Sequence, residues 1–383
     1  MKITVICDVL GEANNGTTLA TLNLIRHLRE AGHEVTVVAP DEHAEGDKVC
    51  VVPPLKLGRF LDGVLKRNGV CLAKVDEKTL EDAMADADVV HVQVPLLLGM
   101  AAAKIAKKLD KPLTASFHCQ AENITAHLGM MNFKPANRLA YKTFYKKLYR
   151  YCDKVHYPTK FIREVFEKET APTPAVVISN GVNEAFFEEG AGERVSDKFT
   201  IVCLGRYSKE KAQRQLIKAI AKSKYKDRIT VVLGGDGPYK EKLRALADKK
   251  GVDCRQKFFA REELLGVLRG SDLYVHTALI EIEAIACLEA IVSGLVPVIC
   301  NSLRSATRFF ALDERNLFAP GNIADLTEKI EYWMEHPEEK AACQEAYKGY
   351  KMQFSQRACM ERMEEMLLDA VREHSERQRG GQA

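Results

Sequence analysis

The amino-acid sequence predicts an α/β fold made of two doubly wound, Rossmann-like domains. Short β-branched runs alternate with longer helical patterns: residues 3–6 are followed by a helical pattern over 18–31 and by a second strand pattern over 34–38. Continuous apolar strands separated by amphipathic helices are typical of a parallel sheet covered on both faces. The chain has 383 residues, whereas ordinary domains run to roughly 100 to 200 residues, so two domains are expected.

The strand patterns fall into two groups along the chain. The first group continues at 89–94 and 113–118, and the pattern then restarts at 199–204 and recurs at 229–233 and 273–276. Each run is followed by helical periodicity, as in a repeated strand–helix unit. We therefore expect two domains that face one another across a central cleft, with ligands outside the carboxyl ends of the strands.

Composition narrows the functional classes. Charged residues make up 28% and apolar residues 46% of the chain, which is typical of a folded globular protein. A net charge of +3 and the lack of a nucleic-acid-binding motif argue against a nucleic-acid partner. The 11 cysteines are scattered without a Cys-x-x-Cys pair, which favours buried, reduced thiols in a cytoplasmic protein. No signal peptide and no membrane-spanning run is predicted, so any membrane contact is expected to be peripheral.

Two glutamates mark the most informative segment. Glu281 and Glu289 lie where a strand pattern gives way to a helical one, and the sequence Gly-Leu-Val-Pro-Val-Ile follows them. Helical periodicity places both carboxylates near one face, beside the backbone amides of a positive helix end. Such a corner suits an anionic ligand that carries hydroxyls. On spacing alone, an amphipathic helix with two surface acids is the competing interpretation.

This segment resembles the Glu-x7-Glu signature of the family-4 retaining glycosyltransferases of GT-B fold. The resemblance implies that Glu281 contacts the donor sugar, that Glu289 binds the ribose hydroxyls of a nucleotide sugar, and that Ile285 lies in the same site. Glu283 and Ala284 depart from the family's small, Gly-bearing loop. The departure places a third carboxylate beside the sugar and leaves the identity of that sugar open.

A second motif concerns the donor phosphates. Gly205-Arg206-x-x-x-Glu-Lys211 follows a strand pattern and opens a helix, and it resembles the family's Gly-Arg-x-x-x-Glu-Lys-Gly motif. The resemblance implies that Arg206 and Lys211 clamp the donor diphosphate, at a helix start that already favours negative charge. Ala212 stands where the family usually has glycine. Ordinary solvated cations at a helix start are the alternative.

Four further positions belong to the predicted site through the resemblance. Gly235 lies in a Gly-x-Gly-Pro turn, Phe259 in the loop that holds the nucleotide base, Gly16 in a loop whose backbone approaches the diphosphate, and His118 at a strand end beside the donor sugar. The loop before Gly16 has Walker A spacing, but Thr17 replaces the required lysine, which argues against ATP hydrolysis. A plain turn and a structural histidine are the competing interpretations, and His91 is predicted to lie in the core.

No metal site is predicted. The sequence Asp86-Ala87-Asp88 is interpreted as a pair of solvated acids at a helix end. The family resemblance implies that cationic side chains and helix amino termini neutralise the leaving diphosphate. No metal or other cofactor is therefore expected to be required, and stimulation by a divalent ion stays open.

Residues 131–151 suggest a membrane-facing surface. They contain six basic residues, no acids, and interleaved aromatic and aliphatic side chains. Such a helix suits an anionic bilayer, where each cation contributes on the order of 1 kcal/mol. A basic, apolar run at 54–61 is placed on the same side. The alternative is a domain helix whose apolar residues pack on the sheet. The predicted contacts are Lys142, Lys146, Lys147 and Arg150.

The resulting hypothesis is a retaining transferase that moves a hexose from a UDP-sugar to a hydroxyl acceptor held by the first domain. The chain most resembles bacterial enzymes that make α-glucosyl diacylglycerol, which implies UDP-glucose, diacylglycerol and a place at the inner face of the plasma membrane. Domain ranges of 1–190 and 191–360 are expected, with residues 361–383 returning to the first domain as in the family. A soluble sugar, polysaccharide or protein acceptor is one alternative. A nucleotide-sugar-binding protein without catalysis is the other.

Overall fold

The computed structural model describes residues 1–10, 16–40, 48–56, 58, 72–127, 130–349 and 352–380. The chain divides into two units. Unit 1 comprises Met1–Asn180 together with Arg357–Ala383, and unit 2 comprises Gly181–Gln356. Each unit is built on a parallel β-sheet, so the α/β class predicted from the alternating strand and helix patterns is confirmed.

Within the described residues, unit 1 has a seven-stranded sheet in the order β3-β2-β1-β4-β5-β6-β7, and unit 2 has a six-stranded sheet in the order β10-β9-β8-β11-β12-β13. Strands β4, β5, β9, β11 and β12 are buried along their whole length, because helices cover both faces of each sheet. The strands are β1 (Lys2–Ile6), β2 (Glu34–Ala39), β3 (Val49–Val51), β4 (Val89–Val92), β5 (Leu113–Ser116), β6 (Lys154–Tyr157), β7 (Ala175–Val177), β8 (Phe199–Leu204), β9 (Ile229–Gly234), β10 (Cys254–Lys257), β11 (Leu273–His276), β12 (Pro297–Cys300) and β13 (Leu317–Phe318).

Amphipathic helices follow most of these strands. The described α-helices are α1 (Gly16–Glu30), α2 (Glu77–Ala85), α3 (Leu97–Lys108), α4 (Ala121–His127), α5 (Lys134–Lys147), α6 (Lys160–Glu169), α7 (Arg214–Ile220), α8 (Lys240–Lys250), α9 (Arg261–Arg269), α10 (Ile285–Val292), α11 (Ile323–Glu335), α12 (Pro337–Lys348) and α13 (Gln356–Gly380). Short 3₁₀ helices occur at Tyr149–Tyr151, Glu184–Phe186, Lys226–Arg228, Ala306–Phe310, Glu314–Asn316 and Met352–Phe354.

Helix α13 completes the core of unit 1. It contributes a buried stripe to the cluster that also holds Ile3 and Leu24. The stripe recurs every three or four residues, as an amphipathic helix requires. Glu364 on its polar side lies 2.8 Å from His27 Nε2 and 2.9 Å from His33 Nε2. The buried members of α13 include Cys359, Met360, Met363, Met366 and Leu367.

The chain enters unit 2 earlier than the expected boundary at residue 190. Val182 donates its amide to Phe354 O at 2.7 Å and accepts from the Gln356 amide at 2.9 Å. Phe186 is buried in the core of unit 2. Because this pairing and burial tie residues 181–190 to unit 2, the structural boundaries fall at 180/181 and 356/357. The predicted boundaries of 190/191 and 360/361 lie slightly beyond both.

Candidate functional site

The predicted phosphate loop of unit 2 is held rigidly by its neighbours. Tyr207 is fully buried and donates its hydroxyl to Leu233 O at 2.5 Å. Gly235 has φ +144°, and a Cβ there would lie 2.3 Å from Gly205 O. Only glycine fits such a close approach of two backbones. The turn predicted around Gly235 is therefore a packing requirement of the loop that carries Arg206.

Arg206 and Lys211 lie on this loop, between β8 and α7. Arg206 is half-buried, and desolvation lowers the pKa of its guanidinium from the usual value. The Gln213 side chain donates to Arg206 O at 2.8 Å and fixes the path of the loop. Ala212, where the family has glycine, has φ +54°. An alanine in this left-handed conformation is destabilised by ~1–2 kcal/mol. The loop nevertheless has the backbone conformation that favours glycine, although residue 212 is alanine.

Lys211 reaches the first glutamate of the predicted pair. Its ammonium donates to Glu281 Oε1, and the loop behind it is tied down by Thr277 Oγ1, which donates to Lys211 O at 2.7 Å. His276 Nε2 lies 3.3 Å from the same carboxylate oxygen, an ion-pair distance outside hydrogen-bond geometry. The Glu281 backbone is also anchored, because its carbonyl accepts from the Ala306 amide at 2.9 Å.

Glu281 is held as an anion. Burial alone raises the pKa of this carboxyl, but the nearby Lys211 ammonium and His276 outweigh burial and lower the pKa to about 2. The residue as a whole is 9% exposed. A buried carboxylate is tolerated only when it is paired in this way. His276 did not figure among the predicted site residues, although its place at the end of β11, close before Glu281, was a usable signal.

The pKa of the second glutamate, Glu289, is raised, whereas that of Glu281 is lowered. Glu289 lies in α10 and is partly buried, and desolvation raises its pKa to about 7 against the opposing effect of Arg261. Ala284 precedes the helix with φ +67°, and Glu283 is buried at 3% exposure. The amides of Ile285 and Ala286 donate to no acceptor within the described residues. An anionic group could therefore bind at this helix start.

Phe259 stands beside the glycine turn. Its ring is half-buried against the core of unit 2, close to Gly234, and Lys257 Nζ lies 5.6 Å from the ring centroid. The next aromatic residue, Phe258, is 61% exposed. The predicted base-binding position thus carries an aromatic face at the carboxyl end of β10, on the same edge of the sheet as the loop that holds Arg206.

The first-domain candidates lie in unit 1. His118 follows β5, is half-buried, and meets the His156 ring edge-on at 5.7 Å. Burial lowers the pKa of His118 well below its usual value, so the imidazole is neutral. It makes no hydrogen bond to any residue that the structure describes. Gly16 is the first residue of α1, and the preceding residues 11–15 of the predicted loop lie outside the described residues.

The predicted membrane surface is basic, and Tyr141, Phe144 and Tyr149 of the same segment are buried. The cations along α5 and the following turn are exposed, together with Phe133 and Leu139 at 55% and 67% exposure. The larger aromatic side chains turn inward, where Tyr141 and Tyr149 stack on Phe117. The interleaved pattern therefore combines a core face with a charged face, and the alternative of packing on the sheet holds for the aromatic half. The exposed cations include Lys142, Lys146, Lys147 and Arg150.

The described residues contain neither a metal-binding cluster nor a membrane-spanning helix. Within the described residues, no three His, Cys, Asp or Glu side chains converge as a metal site requires. None of the helices in the described part of the chain is long and apolar enough to cross a bilayer. Part of the run 54–61, namely residues 57 and 59–61, lies outside the described residues.

Two family models each match about one half of the chain. The model "Glycosyltransferase Family 4" matches residues 14–186, and "Glycosyl transferases group 1" matches residues 184–350. The chain is 24% identical to the alpha-monoglucosyldiacylglycerol synthase of Streptococcus pneumoniae, over 82% of this chain and 75% of that protein. It is 23% identical to the GDP-mannose-dependent alpha-mannosyltransferase of Mycobacterium tuberculosis, over 78% of each.

A solved structure that covers nearly the whole chain has the same architecture. Anabaena HepE in complex with UDP-glucose superposes with a TM-score of 0.74 at 16% identity, covering 96% of this chain and all of that one. The catalytic domain of cholesterol-alpha-glucosyltransferase from Helicobacter pylori is 49% identical over 41% of this chain and 99% of that one, with a TM-score of 0.38. The similarity to HepE concerns the fold.

Proposed function

Because this chain belongs to glycosyltransferase family 4 and has the GT-B fold, we propose that it is a retaining hexosyltransferase. Its proposed donor is UDP-glucose, and its proposed acceptor is the hydroxyl of diacylglycerol at an anionic membrane surface. The donor half of the proposal rests on the buried Glu281 carboxylate, which Lys211 holds as an anion. Four residues later, the first amides of α10 donate to no acceptor in the described part of the chain.

Each donor-binding role follows from charge and position. Arg206 and Lys211 bind the diphosphate, and the α10 amides add the positive end of a helix. Glu281, an acceptor of hydrogen bonds at every physiological pH, binds sugar hydroxyls. Glu289, with a pKa of about 7, can accept from or donate to the ribose hydroxyls. Phe259 offers its ring to the base, as in the stacking of bases on aromatic side chains.

The proposed chemistry is a front-face substitution. The bond from the anomeric carbon to the diphosphate oxygen breaks, the acceptor oxygen bonds to the same face, and the departing phosphate oxygen takes the acceptor proton. Arg206, Lys211 and the α10 amides stabilise the developing charge, which preorganised donors do without reorganisation in the transition state. His118 is neutral and binds a sugar hydroxyl without adding charge. No chelated metal or other cofactor is required in this scheme.

Two observations support a lipid acceptor. The exposed cations of α5 and the following turn form a stripe with a spacing of four residues, and exposed Phe133 and Leu139 adjoin it. Cations and apolar groups on one surface favour peripheral binding to anionic lipid. The S. pneumoniae relative is, by its name, a glycolipid synthase. The protein is therefore proposed to act at the inner face of the plasma membrane from the cytoplasm.

The test is nucleotide release from UDP-glucose, UDP-galactose and GDP-mannose, with and without dioleoylglycerol in anionic liposomes. GDP-mannose is included because of the mycobacterial relative. Release from UDP-glucose that diacylglycerol stimulates, with an α-linked product by NMR, supports the proposal. If lipid does not change turnover, the proposed acceptor is wrong. If only GDP-mannose is turned over, the proposed donor is wrong, and if no donor is turned over, the proposal of catalysis is wrong. Full activity in EDTA is expected.

A further inference from the structure

One buried side chain in unit 1 lacks a partner among the described residues. Gln93 directly follows β4 and is 1% exposed, and neither its side-chain Nε2 nor its Oε1 has a hydrogen-bond partner in the part of the chain that the structure describes. Among the described residues it is the one side chain with two such buried, unpartnered atoms. An orphaned buried amide carries the full desolvation cost of its donor and its acceptor. Folded proteins rarely leave such a group without a reason.

A chain of hydrogen bonds pairs the polar side chains of β4 and β5 with His156. His156 Nε2–H donates to Ile178 O at 2.7 Å, so His156 Nδ1 accepts from the Ser116 hydroxyl at 3.0 Å. Ser116 Oγ in turn accepts from His91 Nε2–H at 3.0 Å, and His91 Nδ1 lies 2.8 Å from Thr114 Oγ1, which also lies 3.3 Å from Val90 O. This chain of hydrogen bonds gives each ring nitrogen of His91 and His156 a partner. The fold therefore pairs its own buried groups on this face of the sheet.

Gln93 lies just beyond this chain, at the carboxyl edge. The backbone N–H of Gln93 donates to Ile6 O at 2.9 Å, and this bond continues the hydrogen bonding between β1 and β4 by one residue past β4. Side chains alternate along a strand, so Gln93 is on the same face as His91. His118, two residues after Ser116 on the neighbouring strand, shares that face by the same rule. In open parallel sheets, ligands bind outside this edge.

We infer that the Gln93 amide binds the reactive hydroxyl of the acceptor. A hydroxyl is both a donor and an acceptor, so a single hydroxyl can satisfy Oε1 and Nε2 together, whereas a carboxylate or an ammonium can satisfy only one of them. A site of this kind selects strongly against an analogue that lacks the hydroxyl, because the buried amide is then left unpaired. The inference rests on the proposed function for the class of the ligand, a lipid alcohol.

The experiment measures equilibrium binding without donor. The probes are dioctanoylglycerol and the same molecule with its free hydroxyl replaced by hydrogen, each in mixed micelles with the full-length protein. We expect wild type to prefer the alcohol by about 10- to 100-fold. Gln93→Met, which keeps the volume and removes the amide, should bind both probes equally. Because it removes an unsatisfied group, it should keep or raise Tm. Gln93→Leu serves if the Met variant does not fold.

Gln215 provides a matched control. It is a buried glutamine whose Oε1 accepts from the Gly321 amide at 2.8 Å and whose Nε2 donates to Thr277 O at 3.4 Å. Gln215→Met should lower Tm and keep the preference for the alcohol. The inference is overturned if wild type does not bind or does not distinguish the two probes, if Gln93→Met still does, or if Gln215→Met loses the preference as well. A wild type that distinguishes the probes but transfers no sugar refutes the proposed function alone.

Discussion

Replacing Lys211 by methionine should leave Glu281 as a buried carboxylate without its main counter-charge. In the wild type, the pKa of Glu281 falls from 4.5 to about 2. At 1.36 kcal/mol per pKa unit, this favours the folded, ionised form by ~3 kcal/mol. Because that figure already includes the cost of burial, the loss in Lys211→Met is about 3 kcal/mol or more. The pair is 24% and 11% exposed, which argues for the lower end of the roughly 3–5 kcal/mol typical of a broken buried pair.

The loss should depend on pH in a defined direction. A carboxyl with a depressed pKa in the folded state stabilises the fold above pH 4.5, and that stability is lost as the pH falls through about 2. In Lys211→Met, burial dominates and raises the pKa of Glu281 above its ordinary value. The variant then regains stability by protonation as the pH is lowered from 8 towards 5. The difference from wild type should therefore be largest at pH 8 and shrink on acidification.

Calorimetry of the full-length protein tests this directly. At ~2–4 °C per kcal/mol for a domain of this size, the transition of unit 2 should drop by about 6–12 °C at neutral pH. Turnover should fall about 100-fold. Lys209→Met, at an exposed position of the same loop, is the matched control and should leave Tm unchanged. The double variant with Glu281→Gln should recover most of the loss. A deficit that is equal from pH 5 to pH 8, or that Lys209→Met reproduces, would refute the reasoning.

Three further predictions follow from the same geometry. Ala212→Gly should raise the Tm of unit 2 by a few degrees, because glycine relieves a left-handed alanine that costs ~1–2 kcal/mol. Unit 1 should lose stability as the pH falls below about 6.5. Burial lowers the pKa values of His91 and His156 to about 3 and about 4, so the unfolded chain binds protons before the folded chain does. Calorimetry from pH 7 to pH 4 measures this loss, and the pH dependence should be weaker in His156→Asn. Neutralising the cations of α5 and the following turn should weaken binding to anionic liposomes by up to about 1 kcal/mol per charge, which co-sedimentation measures. The cations to be neutralised are Lys142, Lys146, Lys147 and Arg150.

Each of these predictions has a control. Ala342, exposed in α12, has an ordinary helical environment, so Ala342→Gly should lower Tm where Ala212→Gly raises it. A flat stability of unit 1 between pH 7 and pH 4 would contradict the neutral histidine chain. The control for the α5 surface neutralises four exposed lysines of unit 2, namely Lys222, Lys242, Lys249 and Lys250. If this control weakens liposome binding equally, net charge governs adsorption and the α5 surface does not.

Local patterns were enough to predict the strands and the loops that follow them. The run predicted at 199–204 is β8, Phe199–Leu204, and the run at 273–276 is β11, Leu273–His276. Both are buried parallel strands, so their apolar composition follows from two covered faces and needs no knowledge of the partner strands. The glycine turn at Gly235 was equally visible, because its requirement arises from backbone conformation.

The remainder depends on contacts between distant residues. Lys211 and Glu281 are 70 positions apart, so their pairing, and with it the low pKa of Glu281, follows only from the packing of the loops after β8 and β11. The inward turn of Tyr141 depends on Phe117, which lies on another element. The isolation of Gln93 is the hardest to predict, because an unpartnered amide is recognised only when every neighbouring group has been placed.

The return of α13 to unit 1 has a consequence for synthesis on the ribosome. Domains usually fold in the order in which they emerge. Here residues 181–356 contain all of unit 2, whereas the core of unit 1 lacks Met363 and Leu367 until residues 357–380 have been made. The domain encoded second is therefore completed first, and the apolar groups around Ile3 and Leu24 stay uncovered throughout elongation. A nascent chain arrested before residue 357 should expose this surface to chaperones, and a full-length chain should not.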